Sequence, residues 1–447
     1  MDSKALRVIY DATRLIERLG APHLTGVDRV DLHYALWLEQ HAKDFRWVVQ
    51  TVQGFRRFDL TVSRVAELQS GEWEKLQSSK VRKWNSVKKS EWLALFEKFR
   101  RVGLIELVRE RGPLAAMAWG LLVRRRKAVF PAGDWSGWTY VNIGHGFRFE
   151  AAMESIPAEM KRLYFLHDVI PLTHPETQKT TSRAHFRKFC EYVGHPMSDV
   201  IVSSHATVDA IATLPQSEEG LLETVSSIQV CPLAVEEGFR AERLEGLKEE
   251  ELAGQSRNVT ELRSHGGRGY FLSVGTVEPR KNLELLVRVW ERLLESRDAI
   301  PRLIWVGKFG WSCDKQLMRR FERLQQQGHA ELRSGVSDPE LLELMAGAIA
   351  LLFPSKIEGW GLPLSEALAL RVPVIASRIA VFEEVGQGVP ELLELDDLDA
   401  WKSMILNYAA TDSSLRAKQI QRMQCYQPLA WAQHFEQLET LWGSLRP

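Results

Sequence analysis

The chain has 447 residues, with 58 lysines and arginines against 58 aspartates and glutamates, so its net charge of zero excludes a global pull toward nucleic acid. Hydrophobic content of 45% and charged content of 26% are those of an ordinary soluble protein, and the length suits two or three domains. No apolar run reaches the ~20 residues needed to span a bilayer; the longest, Pro113–Val123, falls well short and contains Gly120.

The cysteines Cys190, Cys231, Cys313 and Cys425 lie far apart, with no CxxC pair and no zinc spacing, the pattern of reduced thiols in a cytoplasmic protein. Met1-Asp2-Ser3-Lys4 runs into the first strand-like segment without a signal-peptide pattern, which gives the same expectation of location. In chain order, apolar runs at Leu6–Tyr10, Trp47–Val52, Tyr140–Ile143, Leu163–Leu166 and Val200–Val202 alternate with longer amphipathic segments, an α/β pattern. The stretch Gly71–Val129 departs from it. It is helical in character and basic through Lys80, Arg82, Lys83, Arg100, Arg101 and the run Arg124–Lys127, interleaved with Trp73, Trp84, Trp92 and Trp119. Two readings stand: a helical hairpin packed on the first domain with a solvated basic face, or a surface that lies on anionic membrane. A domain boundary is expected near Cys231–Val235, followed by a polar, loosely packed stretch, Glu242–Gly269. Beyond it, strands are expected at Tyr270–Val274, Leu303–Val306, Ile349–Phe353 and Val372–Ala376, apolar enough for a parallel sheet buried on both faces. Asn282–Leu294 places Leu283, Leu286, Val287, Trp290 and Leu293 on one helical face, and a last amphipathic helix, Trp431–Leu445, follows Pro428.

The most informative segment is Glu358-Gly359-Trp360-Gly361-Leu362-Pro363-Leu364-Ser365-Glu366. It lies between the Ile349–Phe353 strand, the turn Pro354-Ser355 and a helix-like run ending near Leu370. Glycines and a helix N-terminus at the carboxyl end of a buried strand suit an anion such as a diphosphate. The flanking carboxylates, Glu358 and Glu366, suit sugar hydroxyls as charge-assisted acceptors. The combination reads as a nucleotide-sugar site; the plainer alternative is a βα turn with two solvated glutamates. A second segment, Gly275-Thr276-Val277-Glu278-Pro279-Arg280-Lys281-Asn282, also follows a strand and opens a helix. Cations are disfavoured at a helix N-terminus, so Arg280 and Lys281 point to a diphosphate that they neutralise as charge builds on it.

These two segments resemble the E-x7-E and G-T-x-E-P-R-K-N motifs of the retaining glycosyltransferases of family 4, with Trp360 where Phe is commoner and Thr276 where the family more often has Arg. The resemblance covers most of the chain apart from Gly71–Val129 and is strongest from Tyr270 to Ala376. It implies the GT-B fold: two Rossmann-like domains facing a cleft, here residues 1–235 with 71–129 as a basic helical insertion, then 236–425, with 426–447 as a helix crossing back to the first domain. Residue by residue it implies Glu366 on the ribose and Glu358 on the sugar. Arg280 and Lys281 would hold the diphosphate, aided by amides of Gly359, Trp360, Gly361 and Leu362, with Gly275, Thr276 and Gly307 beside the nucleotide and Ser355 framing base or ribose. Leu166-His167-Asp168-Val169-Ile170-Pro171 looks like the family's H-D-x-I-P segment, which puts His167 and Asp168 at the cleft. Thr25-Gly26-Val27-Asp28-Arg29 is similar to its T-G-I-x-R loop, with Gly26 close to the donor and Arg29 within reach of a phosphate. Gly133-Asp134-Trp135, Asn142-Ile143-Gly144 and Ser203-Ser204-His205 resemble less specific family segments. Asp396-Asp397-Leu398-Asp399 is read as helix caps rather than a metal site, and no metal or other cofactor is expected, the nucleotide sugar being a substrate. The implied partners are that donor and a glycan or lipid-linked glycan acceptor, as in bacterial O-antigen, capsule or exopolysaccharide assembly by mannosyl- or rhamnosyltransferases; peripheral inner-membrane contact through 71–129 is the second of the two readings of that stretch. Two other classes remain: a nucleotide-sugar 2-epimerase on the same fold, and a catalytically silent scaffold of an assembly complex.

Overall fold

The computed structural model describes residues 6–18, 24–51, 54–57, 130, 135–215, 218, 220–241, 269–295, 300–310 and 314–444. The insertion expected at Gly71–Val129, the segment Gly133-Asp134, Cys313 and nearly all of Glu242–Gly269 lie outside them.

Two sheets form. The first contains β1 (Arg7–Asp11), β2 (Asp44–Thr51), β3 (Gly54–Arg57), β4 (Trp138–Asn142), β5 (Lys161–Leu166), β6 (Ser198–Val202) and β7 (Ser227–Val230), in the order β3-β2-β1-β4-β5-β6-β7. All neighbours are parallel except β2 and β3. The second contains β8 (Tyr270–Val274), β9 (Arg302–Val306), β10 (Ala330–Arg333), β11 (Leu351–Phe353), β12 (Val374–Ser377) and β13 (Glu391–Leu393), in the order β10-β9-β8-β11-β12-β13, parallel throughout. Strand order reverses between β1 and β4 in one sheet and between β8 and β11 in the other. Such reversals open a crevice at the carboxyl ends of the strands, because the helices on either side diverge.

The strand runs are apolar because both faces are covered. Val8, Ile9 and Tyr10 are consecutive and fully buried, as are Tyr270, Phe271 and Leu272. The expected Leu6–Tyr10, Tyr270–Val274 and Leu303–Val306 strands match within a residue. β3, β7, β10 and β13 were not anticipated: Ala-Glu-Leu-Arg or Glu-Leu-Leu, three or four residues long, has no periodicity to read, and such strands form because a neighbouring strand offers its open edge. The helix expected from Asn282 starts at Leu283, since Asn282 adopts a left-handed conformation (φ 57°) after a single 3₁₀ turn, Pro279–Lys281.

The last helix, Trp431–Ser444, returns to the first sheet, where Phe435, Leu438 and Trp442 enter the same core as Val30, Tyr34 and Leu38 of the helix Gly26–His41. Phe435 stacks on Trp37 at 5.0 Å and meets Tyr34 edge-on at 5.4 Å. His434 fixes the approach: its Nδ1–H donates to the Pro232 carbonyl (2.7 Å), and its Nε2 accepts from the Tyr34 hydroxyl (2.9 Å). Leu438→Ala removes a side chain that is 1% exposed; chemical denaturation should show a loss of about 2–5 kcal/mol, with the first domain as the unit that melts earlier.

Candidate active site

β8 and β11 are neighbours, so the loops that leave their carboxyl ends lie side by side at the reversal point. After β11 the chain turns through Gly359-Trp360-Gly361 into the helix Leu362–Ala369. Gly361 caps that helix with φ 95°, a conformation open to glycine, and a Cβ there would stand 2.8 Å from Phe382. Pro363 fits the first turn, where its missing N–H has no intrahelical partner to lose. The Leu364 and Ser365 amides bond back to the Gly361 carbonyl, at 2.9 and 3.3 Å, so any free amides here are those of the loop that leads into the helix.

Glu358 precedes this turn and is gripped from the β8 side. Arg280 Nη1 donates to its Oε2 at 2.5 Å and Lys281 Nζ donates to Oε1. Arg280 Nε also pairs with Glu278 at 2.7 Å, and the Lys281 ammonium lies 4.6 Å over the Phe353 ring. The two loops are tied through the backbone as well, Lys356 N–H donating to the Arg280 carbonyl at 2.8 Å. Burial alone would raise the Glu358 carboxyl, but Arg280 and Lys281 outweigh it and hold the group below its usual range. Gly275 and Gly307 make the space: a Cβ on Gly307 would sit 2.0 Å from the Gly275 carbonyl oxygen, and the side chain of Lys281 passes beside Gly275.

The first domain closes over this cluster. Ser203 Oγ and Ser204 Oγ both donate to the Gly359 carbonyl, at 3.1 and 2.9 Å. Gly359 in turn backs onto His167, whose carbonyl oxygen would lie 2.0 Å from any Cβ at that position. Glu384 accepts the His205 and Ala206 amides at the start of the helix His205–Ala212. Asp168 faces the cations: burial raises its carboxyl, yet His145 and Arg280 bring it down to about 2. The His167 imidazole is pulled to about 3 by burial and is therefore neutral, so its Nε2–H donates to the Ile143 carbonyl at 3.1 Å.

A second ionic contact joins the domains. Arg29 bonds Glu366 Oε1 at 3.0 Å and Asp338 Oδ1 at 2.7 Å. Thr25 and Asp28 form a reciprocal capping box at the start of Gly26–His41, which aims Arg29 across the cleft. Gly26 meets Leu362, whose Cδ1 would be 2.7 Å from a Cβ at residue 26. Burial pushes the Glu366 carboxyl up to about 7 although Arg29 opposes the shift.

Of the residues singled out from sequence, Glu358, Arg280, Lys281, Asp168, Gly359, Gly275 and Gly307 thus fall in one cluster and Gly26, Arg29, Leu362 and Glu366 in an adjoining one. Arg29 is turned to carboxylates rather than toward the Arg280–Lys281 pair. Ser355 is fully buried beneath the loop, its carbonyl accepting from Ser377 Oγ. Thr276 packs toward Gly310, and Trp360 contributes to the cores of both domains. Asp397 caps the helix Leu398–Ala409 through the Ala400 amide (2.9 Å), and among the described residues no group of three His, Cys, Asp or Glu side chains is arranged to hold a metal. No helix among them is long and apolar enough to cross a membrane. Sequence reasoning missed His145, Asp338 and Glu384. His145 is a non-glycine held at φ 59° between two glycines; its Nδ1 accepts the His167 amide at 3.1 Å and its Nε2 stands 3.8 Å from Asp168. The Gly144-His145-Gly146 pattern was its visible signal; Asp338 and Glu384 have none, because they become relevant only when the domains meet.

Comparison with known proteins agrees with this fold. Residues 255–387 match the family "Glycosyl transferases group 1", so the second half of the chain carries a domain of that class. Over 146 residues the chain is 36% identical to O-antigen chain mannosyltransferase B of Escherichia coli, and over 141 residues 34% identical to O-antigen chain mannosyltransferase RfbU of Salmonella typhimurium. These matches cover 32% and 31% of this chain and 38% of each relative. Across nearly the whole chain the fold is that of two solved structures. One is Anabaena HepE in complex with UDP and glucose (TM-score 0.57, 12% identity, 98% of this chain and 100% of that one). The other is WaaG, a glycosyltransferase involved in lipopolysaccharide biosynthesis (TM-score 0.52, 13% identity, 94% of each chain). The architecture is GT-B.

Two outcomes follow. Gly359→Ala cannot coexist with the His167 contact, so small-angle scattering should report a more open molecule with both domains folded. The Glu366 carboxyl ionises near pH 4.3 when unfolded but near 7 when folded. Between those values the folded state alone keeps the proton, so this group's stabilisation is complete below about pH 4.3 and is lost as pH rises through about 7. Thermal melts of Glu366→Gln against the parent protein should show the variant gaining relative stability across that window.

Proposed function

We propose that this protein is a retaining, metal-independent glycosyltransferase that moves a sugar from a nucleotide diphosphate sugar, GDP-mannose foremost, to a growing lipid-linked bacterial surface polysaccharide. The observation that carries the reading is the pair of cations, half-buried Arg280 and buried Lys281, fixed on Glu358 at the mouth of a glycine-lined helix N-terminus. The group 1 match over 255–387 supports transfer, and the mannosyltransferase relatives support the choice of sugar. HepE, with UDP and glucose in the same fold, supports a nucleotide-linked donor.

In this mechanism Arg280 and Lys281, with the amides near Gly359–Leu362, take the diphosphate. Glu366 accepts the ribose hydroxyls, and Glu358 the hydroxyls of the sugar. The acceptor oxygen attacks the anomeric carbon from the face that the diphosphate leaves, so the configuration is kept. The C–O bond to the diphosphate breaks, its electrons stay on the departing phosphate oxygen, and that oxygen receives the acceptor proton. Charge grows on the diphosphate as the bond breaks, so the cations contribute most in the transition state, where they raise the rate. The closed cleft excludes water, the competing acceptor. The site works on the cytoplasmic face of the membrane, and the basic, tryptophan-bearing sequence of residues 71–129 suits anionic lipid.

Transfer from radiolabelled GDP-mannose to a mannosyl acceptor should fall at least ~10²-fold in each of Arg280→Ala, Lys281→Ala and Glu358→Gln, with melting curves that still show a folded protein. Parent-like rates in all three would overturn the assignment. The linkage of the product, read by NMR, checks retention.

A further inference from the structure

The loop Gly144-His145-Gly146 follows β4 and meets the strand end that carries His167 and Asp168. His145 is its left-handed residue (φ 59°), whereas neither flanking glycine has a positive φ. A Cβ disfavours that conformation and a glycine takes it up freely, so the chain holds histidine at the one position of the three where glycine fits best. Such strain persists where the side chain has a task. The task is legible in the ring's contacts. The His167 backbone N–H donates to His145 Nδ1 at 3.1 Å, so Nδ1 carries a lone pair and the ring hydrogen is on Nε2. Phe186 and His167 pack against the ring, at centroid separations of 5.0 and 5.4 Å. Nε2–H faces Asp168 Oδ1, 3.8 Å away, and the same oxygen accepts the Ile170 amide at 3.0 Å.

We propose that His145 is a positioning residue for the proposed transfer: through Nε2–H it holds the Asp168 carboxylate off Arg280, which leaves the guanidinium to the diphosphate. The inference rests on the transferase reading and adds to it a residue that acts only through another. Arg280 already gives Nη1 to Glu358 at 2.5 Å and Nε to Glu278 at 2.7 Å, so Nη2 is what remains for a phosphate. Asp168 is the third carboxylate that acts on Arg280, and the one that comes from the first domain. It is ionised: burial raises its carboxyl, but His145 and Arg280 bring it down to about 2. Even so, Asp168 is turned to His145 and the Ile170 amide rather than ion-paired with Arg280. Freed from that hold, it would take the remaining N–H groups of Arg280 and compete with the donor there. Domain closure brings this rival anion to the cation, so the restraint matters most in the state that transfers.

Asparagine tolerates the left-handed backbone and is too short to reach Asp168, so His145→Asn keeps the loop and loses the contact. One readout needs no turnover. In NMR spectra of the protein labelled with ¹⁵N-histidine, the signals lost in His145→Asn should be those of an Nε2–H tautomer; Nδ1–H signals there would overturn the inference. Calorimetry with GDP then reads the diphosphate site. His145→Asn should weaken GDP about tenfold, whereas in an Asp168→Asn background the same change should shift it less than about twofold, because the group it acts through is gone. The kcat/KM for GDP-mannose should follow the same pattern. His145→Gly, which relaxes the backbone, should repeat it. Equal weakening of GDP in both backgrounds would overturn the inference, as would parent-like GDP affinity in both His145→Asn and His145→Gly. A parent protein that binds neither GDP nor GDP-mannose and transfers nothing defeats the transferase reading instead, and this inference falls with it.

Discussion

Everything in the cleft is arranged around one buried carboxylate. Glu358 would be unstable alone at this depth, because an unpaired charge in low dielectric is strongly disfavoured. Arg280 and Lys281 stabilise it, and they reach it because strand order reverses between β8 and β11. Gly275 leaves room for the Lys281 side chain, and Gly307 lets its strand end approach the Gly275 backbone closely. The triad is thus a structural tie between two loops that keeps two cations at the crevice.

Much of the second sheet was legible in the sequence, and for a physical reason. Strands covered on both faces must be apolar at every position, so Tyr270–Val274 and Leu303–Val306 stand out without any partner being known. The Glu358–Glu366 and Gly275–Asn282 segments were equally legible, since their glycines, their proline and their paired cations violate the local preferences of an ordinary turn. Short edge strands such as β10 and β13 were not, because their conformation is imposed by pairing. The left-handed Asn282 and His145 also had to be seen in place.

What the sequence hid most thoroughly was the contact between domains. Ser203 and Ser204 were noticed as a segment, but not as donors to the Gly359 carbonyl. Arg29 was expected to face a phosphate, and it pairs instead with Glu366 and Asp338. These are contacts between residues more than a hundred positions apart whose partners are set by how two rigid bodies dock. No local pattern encodes such docking.

The Arg29 bridge has a kinetic consequence. If a ribose hydroxyl takes Glu366 Oε1, the Arg29 guanidinium must give that oxygen up, so donor and bridge compete for one atom. The spent nucleotide meets the same competitor. Each time it loosens, Arg29 can take back Glu366 before the nucleotide rebinds, which shortens the dwell time of product more than it weakens the first encounter with donor. On that condition, an internal cation across the cleft acts on turnover as a ready-made displacer, renewing the empty site after each cycle.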